Sequence, residues 1–356
     1  MIYILLSILL GAFTALTLIA PSEYYFILLL LPTIGIVLVF FLKKYIKKPS
    51  KYILISLPFI AILAYLTVSF IVFKPKKIEL SDININNLSS NKKAVILYAD
   101  GEMEKYMPYF SGSILSNKPY LIKPIESFKI KKSYESIEIS KKNMDIIKIS
   151  KLFSESLLKN GPHYFYLSYA NYTPSLKESI NSSLNDGCKD ITILNFSKDP
   201  YATRNITAIK DSLKINNIDI NISTPILKNL KPSFLLRDIP NDMSKFNGVL
   251  LLDKDNLGLN LKTELQSLGV DENSVFISDN VEHGLKLLTE SIEEDAKNVL
   301  IINLLDFNNG IVEKYSIPKA IEKYENLSFQ TVSPLKYDKD FLEIIVNEYK
   351  SIKKQP

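Results

Sequence analysis

Phe276-Ile277-Ser278-Asp279-Asn280-Val281-Glu282 joins a short apolar run to the first turn of an amphipathic pattern. The residues before it, Asp271-Glu-Asn-Ser274, read as a turn, and those after it, 281–292, carry apolar side chains at helical spacing. The stretch is therefore a strand, a tight turn and a helix start. A carboxylate at Glu282 then falls at the carboxyl end of a parallel strand, where open α/β sheets bind ligands and where a helix amino terminus favours negative charge.

Working outward, the same alternation recurs. Short β-branched runs at 94–99, 164–168, 191–196, 218–222, 248–252, 275–277, 299–304 and 328–332 read as strands. Several are apolar at consecutive positions, as strands buried on both faces are. Helical patterns lie between them at 144–158, 175–186, 203–213, 259–268, 281–292 and 318–325, with a last one at 339–352. Alternation of this kind predicts an α/β fold with parallel sheets and helices on both faces. Eight strands suggest two similar, Rossmann-like halves, 92–235 and 236–356, meeting where Pro232 and Pro240 punctuate the chain.

The amino-terminal part differs in kind. Residues 1–42 contain no Lys or Arg and a single acid, Glu23. Apolar runs at 2–20, 24–42 and 52–73 are each long enough to cross a hydrocarbon core of ~30 Å. Residues 1–77 are thus expected to form a membrane region of three transmembrane helices, and the Asn/Ser-rich residues 78–91 a linker. The first run lacks a basic leader and two more follow it, which argues against a cleaved signal peptide. Lys43, Lys44, Lys47, Lys48 and Lys51 separate the second and third runs, whereas residues 21–25 carry no base. The positive-inside rule places 43–51 in the cytoplasm and the chain after Phe73 outside; Lys74, Lys76 and Lys77 pull the other way, towards a cytoplasmic domain.

The net charge of +5 is a product of that region, which holds eight lysines and one glutamate. The remaining 35 basic and 37 acidic residues give the rest of the chain a slight negative charge, with no basic footprint for nucleic acid. The lysines flanking the spans suit anionic lipid headgroups. Cys188 is the single cysteine, so an internal disulfide or a thiolate metal cluster is excluded, and it reads as a small buried apolar residue. No glycine-rich dinucleotide loop, phosphate loop or His-Glu-x-x-His occurs, and the two histidines, His163 and His283, read as a strand-end and a solvated helix residue. Asp100, Asp199, Asp253, Asp255 and Glu282 all sit at expected strand ends. Such acids cap helices and turns; gathered on one rim they also bind a hard cation.

Several pieces, in order along 92–352, resemble the ferrochelatase family. They are Lys92-Lys-Ala-Val-Ile-Leu-Tyr-Ala-Asp-Gly101, Tyr134-Glu-Ser-Ile137, Tyr166-Leu-Ser-Tyr-Ala-Asn-Tyr-Thr-Pro-Ser-Leu176, Asp186-Gly-Cys-Lys-Asp-Ile-Thr-Ile193, Gly248-Val-Leu-Leu-Leu252, Phe276 to Glu282, and Ser333-Pro-Leu-Lys-Tyr-Asp-Lys-Asp-Phe-Leu342. The resemblance implies a membrane-anchored protein that handles a tetrapyrrole in a cleft between the halves, with a divalent metal such as ferrous iron as substrate. It implies Glu282 as the catalytic acid–base and a metal ligand; Asp100 and Asp255, from the strand-end acids, are the candidate further ligands, and Tyr98, Asp100 and Tyr201 are expected to line the ring's site. The chain departs from the family in two segments that should carry histidines. Asn195-Phe-Ser-Lys-Asp-Pro-Tyr-Ala-Thr203 puts Pro200 where the family has its histidine, and Leu252-Asp-Lys-Asp-Asn-Leu-Gly258 puts Asp255 where a second histidine stands. Proline neither binds metal nor moves protons, so the alternative expectation is a haem- or porphyrin-binding or scaffold module without catalysis, with porphyrin, lipid and a membrane protein as partners.

Overall fold

The computed structural model describes residues 2–42, 50–74, 88–137, 139–159, 161, 163–198, 207–209, 211, 218–292 and 298–354. The chain divides into two compact units, one of Met1–Lys77 with Lys105–Glu138, the other of Ile78–Glu104 with Ile139–Pro356.

The first unit is built on α1 (Ile2–Ile19), α2 (Tyr25–Leu42) and α3 (Lys51–Phe73), all long and apolar enough to cross a membrane. They form helices because nothing polar competes for the backbone: Thr14, Thr17, Thr33 and Thr67 each turn their hydroxyls back onto the carbonyl four residues earlier. Large apolar side chains such as Phe26, Phe40, Phe41, Ile55 and Leu63 point outward. In water such a surface is unfavourable, whereas hydrocarbon accepts it. Helices α1 and α3 run parallel: Gly11 lies against Ala61, and Ile19 shares a cluster with Phe73. A Cβ on Gly11 would come 1.9 Å from the Ala61 carbonyl oxygen, so only glycine permits this approach. Two shorter helices, α4 (Pro108–Ile114) and α5 (Lys123–Glu135), belong to the same unit.

Residues 105–138 were expected within the first α/β half; instead they pack on the apolar helices. The Tyr106 hydroxyl donates to the Ile19 carbonyl at 2.7 Å, and Lys131, fully buried, donates to the Thr17 and Ala20 carbonyls at 3.0 Å each. A lysine at that point satisfies the open carbonyls that end α1 and meets the negative end of its dipole.

Among the described residues the second unit carries eight parallel strands in two four-stranded sheets. The first sheet contains β1 (Ser89–Ala99), β2 (Tyr164–Tyr169), β3 (Cys188–Phe196) and β4 (Asp219–Ile222) in the order β2-β1-β3-β4. The second contains β5 (Gly248–Leu252), β6 (Val275–Ser278), β7 (Asn298–Asn303) and β8 (Ser328–Val332) in the order β6-β5-β7-β8. The two orders are one pattern used twice, which establishes the two Rossmann-like halves. Residues 89–91, expected in the linker, already belong to β1; residues 78–87 and most of the expected helix at 203–213 lie outside the described residues.

Crossover helices cover both faces of each sheet. In the first half these are α6 (Lys142–Leu158) and α7 (Leu176–Asn185); α8 (Pro232–Leu236) lies between the halves. In the second they are α9 (Leu257–Ser267), α10 (Val281–Ser291) and α11 (Ile317–Ile321), followed by α12 (Lys339–Lys354). Alternate residues of β1 explain the layering. Ala94, Ile96 and Tyr98 point outward to α7, while Val95, Leu97 and Ala99 point inward to α6. The inward faces of both sheets, with α6, α8, α9 and α12, form one continuous core. Helix α12 belongs to the second half by sequence yet sets Phe341 against Phe196 and Tyr349 against Phe153 of the first.

Candidate functional site

The carboxyl ends of the strands carry the polar residues. Asn195 closes β3 with its side-chain oxygen accepting from the Ser197 amide at 3.1 Å, and its own amide donates to the Ser223 hydroxyl after β4 at 2.8 Å. The second half repeats the device: Asn303 at the end of β7 accepts from the Leu305 amide at 3.1 Å and reaches the Ser333 hydroxyl after β8. Both strands thus end in an Asn whose side chain turns the chain over the sheet edge.

Asp100, following β1, accepts from the Ser197 hydroxyl at 2.6 Å and the Lys198 amide at 2.9 Å. Its burial raises its carboxyl above the usual range, with Lys142 and these hydrogen bonds pulling the other way. Lys198 in turn donates to the Leu304 and Leu305 carbonyls at 2.6 and 3.1 Å and lies 3.4 Å from Asp255. It ties the rim of the first sheet to that of the second.

Behind this rim lies a buried ionic network. Glu102 accepts from the Ile311 amide at 2.9 Å, and its backbone pairs in both directions with the Asn143 side chain. Lys142, in the first turn of α6, pairs with Asp306. Gly310 passes so close that a Cβ there would lie 2.9 Å from Glu102 Oε2 and 3.0 Å from Asp306 Oδ2. The Asn309 side chain donates to Asp145 at 2.8 Å, and the Asn309 amide to Glu313 at 2.7 Å. Desolvation lifts the Glu102 carboxyl to about 7, with Lys142 opposing and Asp306 adding to the rise. Burial alone would lower the Lys142 ammonium, but Asp306, Glu102 and Asp100 together hold it above its ordinary value. Tyr337, stacked on Phe307 at 3.9 Å, buries a hydroxyl for which the described residues offer no hydrogen-bond partner. Burial, then Asp100 and Asp306, push its ionisation well up, so it stays protonated.

Few of the expected site residues reach this network. Asp100 belongs to it and Asp255 touches its edge through Lys198, but Tyr98 is buried in the outer core among Ile96, Ile180 and Leu184. Glu282 sits in the first turn of α10, largely exposed, 2.8 Å from Lys323, whose hydrogen bond and charge keep its carboxyl below the usual range. Asn280, not Glu282, closes that helix end, accepting from the His283 amide at 3.0 Å. Asp253 is a turn cap, accepting from the Asp255 and Gly258 amides at 3.0 and 2.8 Å. Tyr201, Asp199 and Pro200 lie outside the described residues. The expected ligand set is not assembled: among the described residues no three His, Cys, Asp or Glu side chains are placed to hold a metal ion.

His163 lies at the amino end of β2, bonded to the Gly161 carbonyl and the Tyr349 hydroxyl at 2.9 Å each. It helps line a cavity of about 260 Å³ with Asp190, Asp219 and Asn221. Cys188 is buried, and desolvation pushes its thiol up to about 11, so it packs rather than reacts. A larger groove of about 670 Å³ runs between α8 and α12. Ile226, Leu230, Phe234 and Ile344 line it with apolar surface, and Lys231 and Arg237 share it with Asp340, Glu343 and Glu348. Arg237 is held over the Phe234 ring at 4.0 Å and pairs with Asp338 and Asp340.

No protein-family model matches the chain, and no curated protein matches it in sequence.

Proposed function

We propose that the protein is a membrane-anchored module that binds a tetrapyrrole without inserting metal into it. The groove between α8 and α12 carries this reading. Its volume of about 670 Å³ lies within the usual range for small-molecule sites, and its apolar floor suits a flat macrocycle, with Lys231 and Arg237 set among Asp340, Glu343 and Glu348 along the rim. The collinear resemblance to ferrochelatases supports the ring as ligand, and the twice-used strand order supports the scaffold. The exposed Glu282–Lys323 pair speaks against insertion, since among the described residues no group of metal-ligating side chains gathers around it.

Titration of the full chain in detergent with protoporphyrin tests it. The expected result is a saturable Soret shift in the wild type and in Glu282→Gln, weakened in Phe234→Ala, with no metalloporphyrin spectrum after ferrous or zinc ion is added. Absence of any shift would remove the tetrapyrrole, a metalloporphyrin spectrum would restore catalysis, and a shift indifferent to Phe234 would overturn the groove.

The anchoring belongs to the same proposal. Helices α1–α3 each cross the bilayer, residues 43–51 face the cytoplasm, and the α/β unit lies on the other side. The parallel packing of α1 and α3 supports three crossings, because odd-numbered spans run in one direction. The lysine balance supports the orientation. A carboxyl-terminal reporter fusion active in the cytoplasm would reverse it.

A further inference from the structure

The turn between α4 and α5 makes two unusual hydrogen bonds with α3. The Ser69 hydroxyl donates to the Tyr120 carbonyl at 2.5 Å, and the Tyr65 hydroxyl donates to the Leu121 carbonyl at 3.0 Å. Tyr65 stands eight residues before Phe73, so it lies ~12 Å short of the end of α3 at 1.5 Å per residue. Side chains on a helix lean towards its amino end, so the Tyr65 hydroxyl is no closer to the carboxyl end of α3 than its backbone is. The 23 residues of α3 span ~34 Å against a hydrocarbon thickness of ~30 Å, leaving about 2 Å of excess at each face. The Leu121 carbonyl is therefore several ångströms inside the apolar layer.

Non-helical backbone at that depth needs its polar groups satisfied from within the protein. Here they are. Besides the two carbonyls, the Ile122 and Lys123 amides donate to the Pro119 carbonyl at 2.9 and 3.1 Å. The apolar side chains of the turn face outward: Leu121 is 52% exposed, and Ile122 and Ile125 are also exposed. Lys123 folds its ammonium over the Tyr120 ring at 4.2 Å, and Lys118, Lys129 and Lys132 are exposed around it. Residues 105–138 carry six lysines against three glutamates, the balance that anionic headgroups attract.

We propose that residues 119–125 form a re-entrant turn seated in the lipid bilayer, with Leu121, Ile122 and Ile125 among the acyl chains and the surrounding lysines at the headgroups. It rests on α3 crossing the membrane, and the test separates the two. The chain contains no tryptophan, so single Trp substitutions report cleanly. Leu121→Trp, Ile125→Trp and, within α3, Leu63→Trp are compared in the full chain reconstituted in vesicles with acyl-brominated lipid. Leu268→Trp, exposed in the α/β unit, serves as the aqueous reference. The expected result is blue-shifted emission, quenched by bromine, at positions 63, 121 and 125, and red-shifted, unquenched emission at 268. Quenching at 63 without quenching at 121 and 125 would overturn the turn alone. Blue-shifted but unquenched emission at 121 and 125 would assign the surface to a protein partner and equally overturn it. Loss of quenching at 63 would overturn the span, and the turn with it.

Discussion

Glu102 is the residue at which burial and charge are most finely opposed. Its carboxyl is buried beside Asp306 and held by the Ile311 amide and Lys142, and it titrates near 7 rather than at its ordinary 4.5. A carboxyl raised on folding favours the folded state below its unfolded pKa, and that contribution is lost as pH rises through the folded value. The shift corresponds to on the order of 3 kcal/mol between pH 4.5 and 7. Glu102→Gln keeps an acceptor for Ile311 but carries no charge. The variant's melting temperature relative to wild type should therefore climb by several degrees between pH 5 and pH 8, as differential scanning fluorimetry at matched ionic strength would record. A difference flat across that range would mean that Glu102 is solvated. This residue was not legible in the sequence. Glu282 announces itself by following a strand and opening a helix, whereas Glu102 becomes a buried acid only because Gly310, more than two hundred residues later, lets the 306–311 loop close over it. Asp100 was legible, because an acid directly after a doubly buried strand has few other places to go.

At the scale of elements, strands were easier to read than the pieces between α3 and α6. The eight strands of the described residues lie where short runs predicted them; β5 and β7 are buried on both faces and leave an unbroken apolar signature, whereas the edge strands β4 and β8 alternate with exposed polar residues. Helix α5 gave no such signal. Lys131 sits in the middle of it, looks like part of a solvated face, and is instead fully buried against the end of α1, with Tyr25 and Phe128 rings under its ammonium. A cation that satisfies carbonyls more than a hundred residues away leaves no local pattern. The pairing of α1 with α3 is more predictable. Gly11 is the contact point, and even a methyl group there meets backbone rather than a movable side chain. Gly11→Leu should force the two helices apart and break the cluster of Ala15, Ile19 and Phe73 at their ends. Overpacking of this kind costs about 1–3 kcal/mol. Disulfide trapping between cysteines placed at Ala15 and Val68, efficient in the parent and lost in the Gly11→Leu background, would measure the separation; unchanged trapping would show that the helices slide to accommodate the side chain.

Across the whole α/β unit, the two halves look separable by sequence and are joined in substance. Each has its own outer core, Ile96 with Ile180 and Leu184 in the first and Leu250 with Leu285 and Leu288 in the second. Between the sheets, however, one core runs from Val95 and Leu97 through Phe153 and Phe341 to Val249 and Leu251. Helix α12 is the connecting piece, and Phe341 is its centre: fully buried, it meets Phe196 from the first half and Phe307 and Tyr337 from the second. Independent halves would unfold in sequence, whereas a shared core makes protection in either sheet depend on the other. Removing the Phe341 ring should cost about 3–5 kcal/mol, the usual loss for a buried phenylalanine truncated to alanine. In Phe341→Ala, hydrogen exchange followed by mass spectrometry should show β1 and β3 losing protection at the same denaturant concentration as β5 and β7, both lower than in wild type. Were β5 and β7 to stay protected after β1 and β3 had opened, α12 would be only a strap laid over the first half, and the two sheets would hold their folds separately.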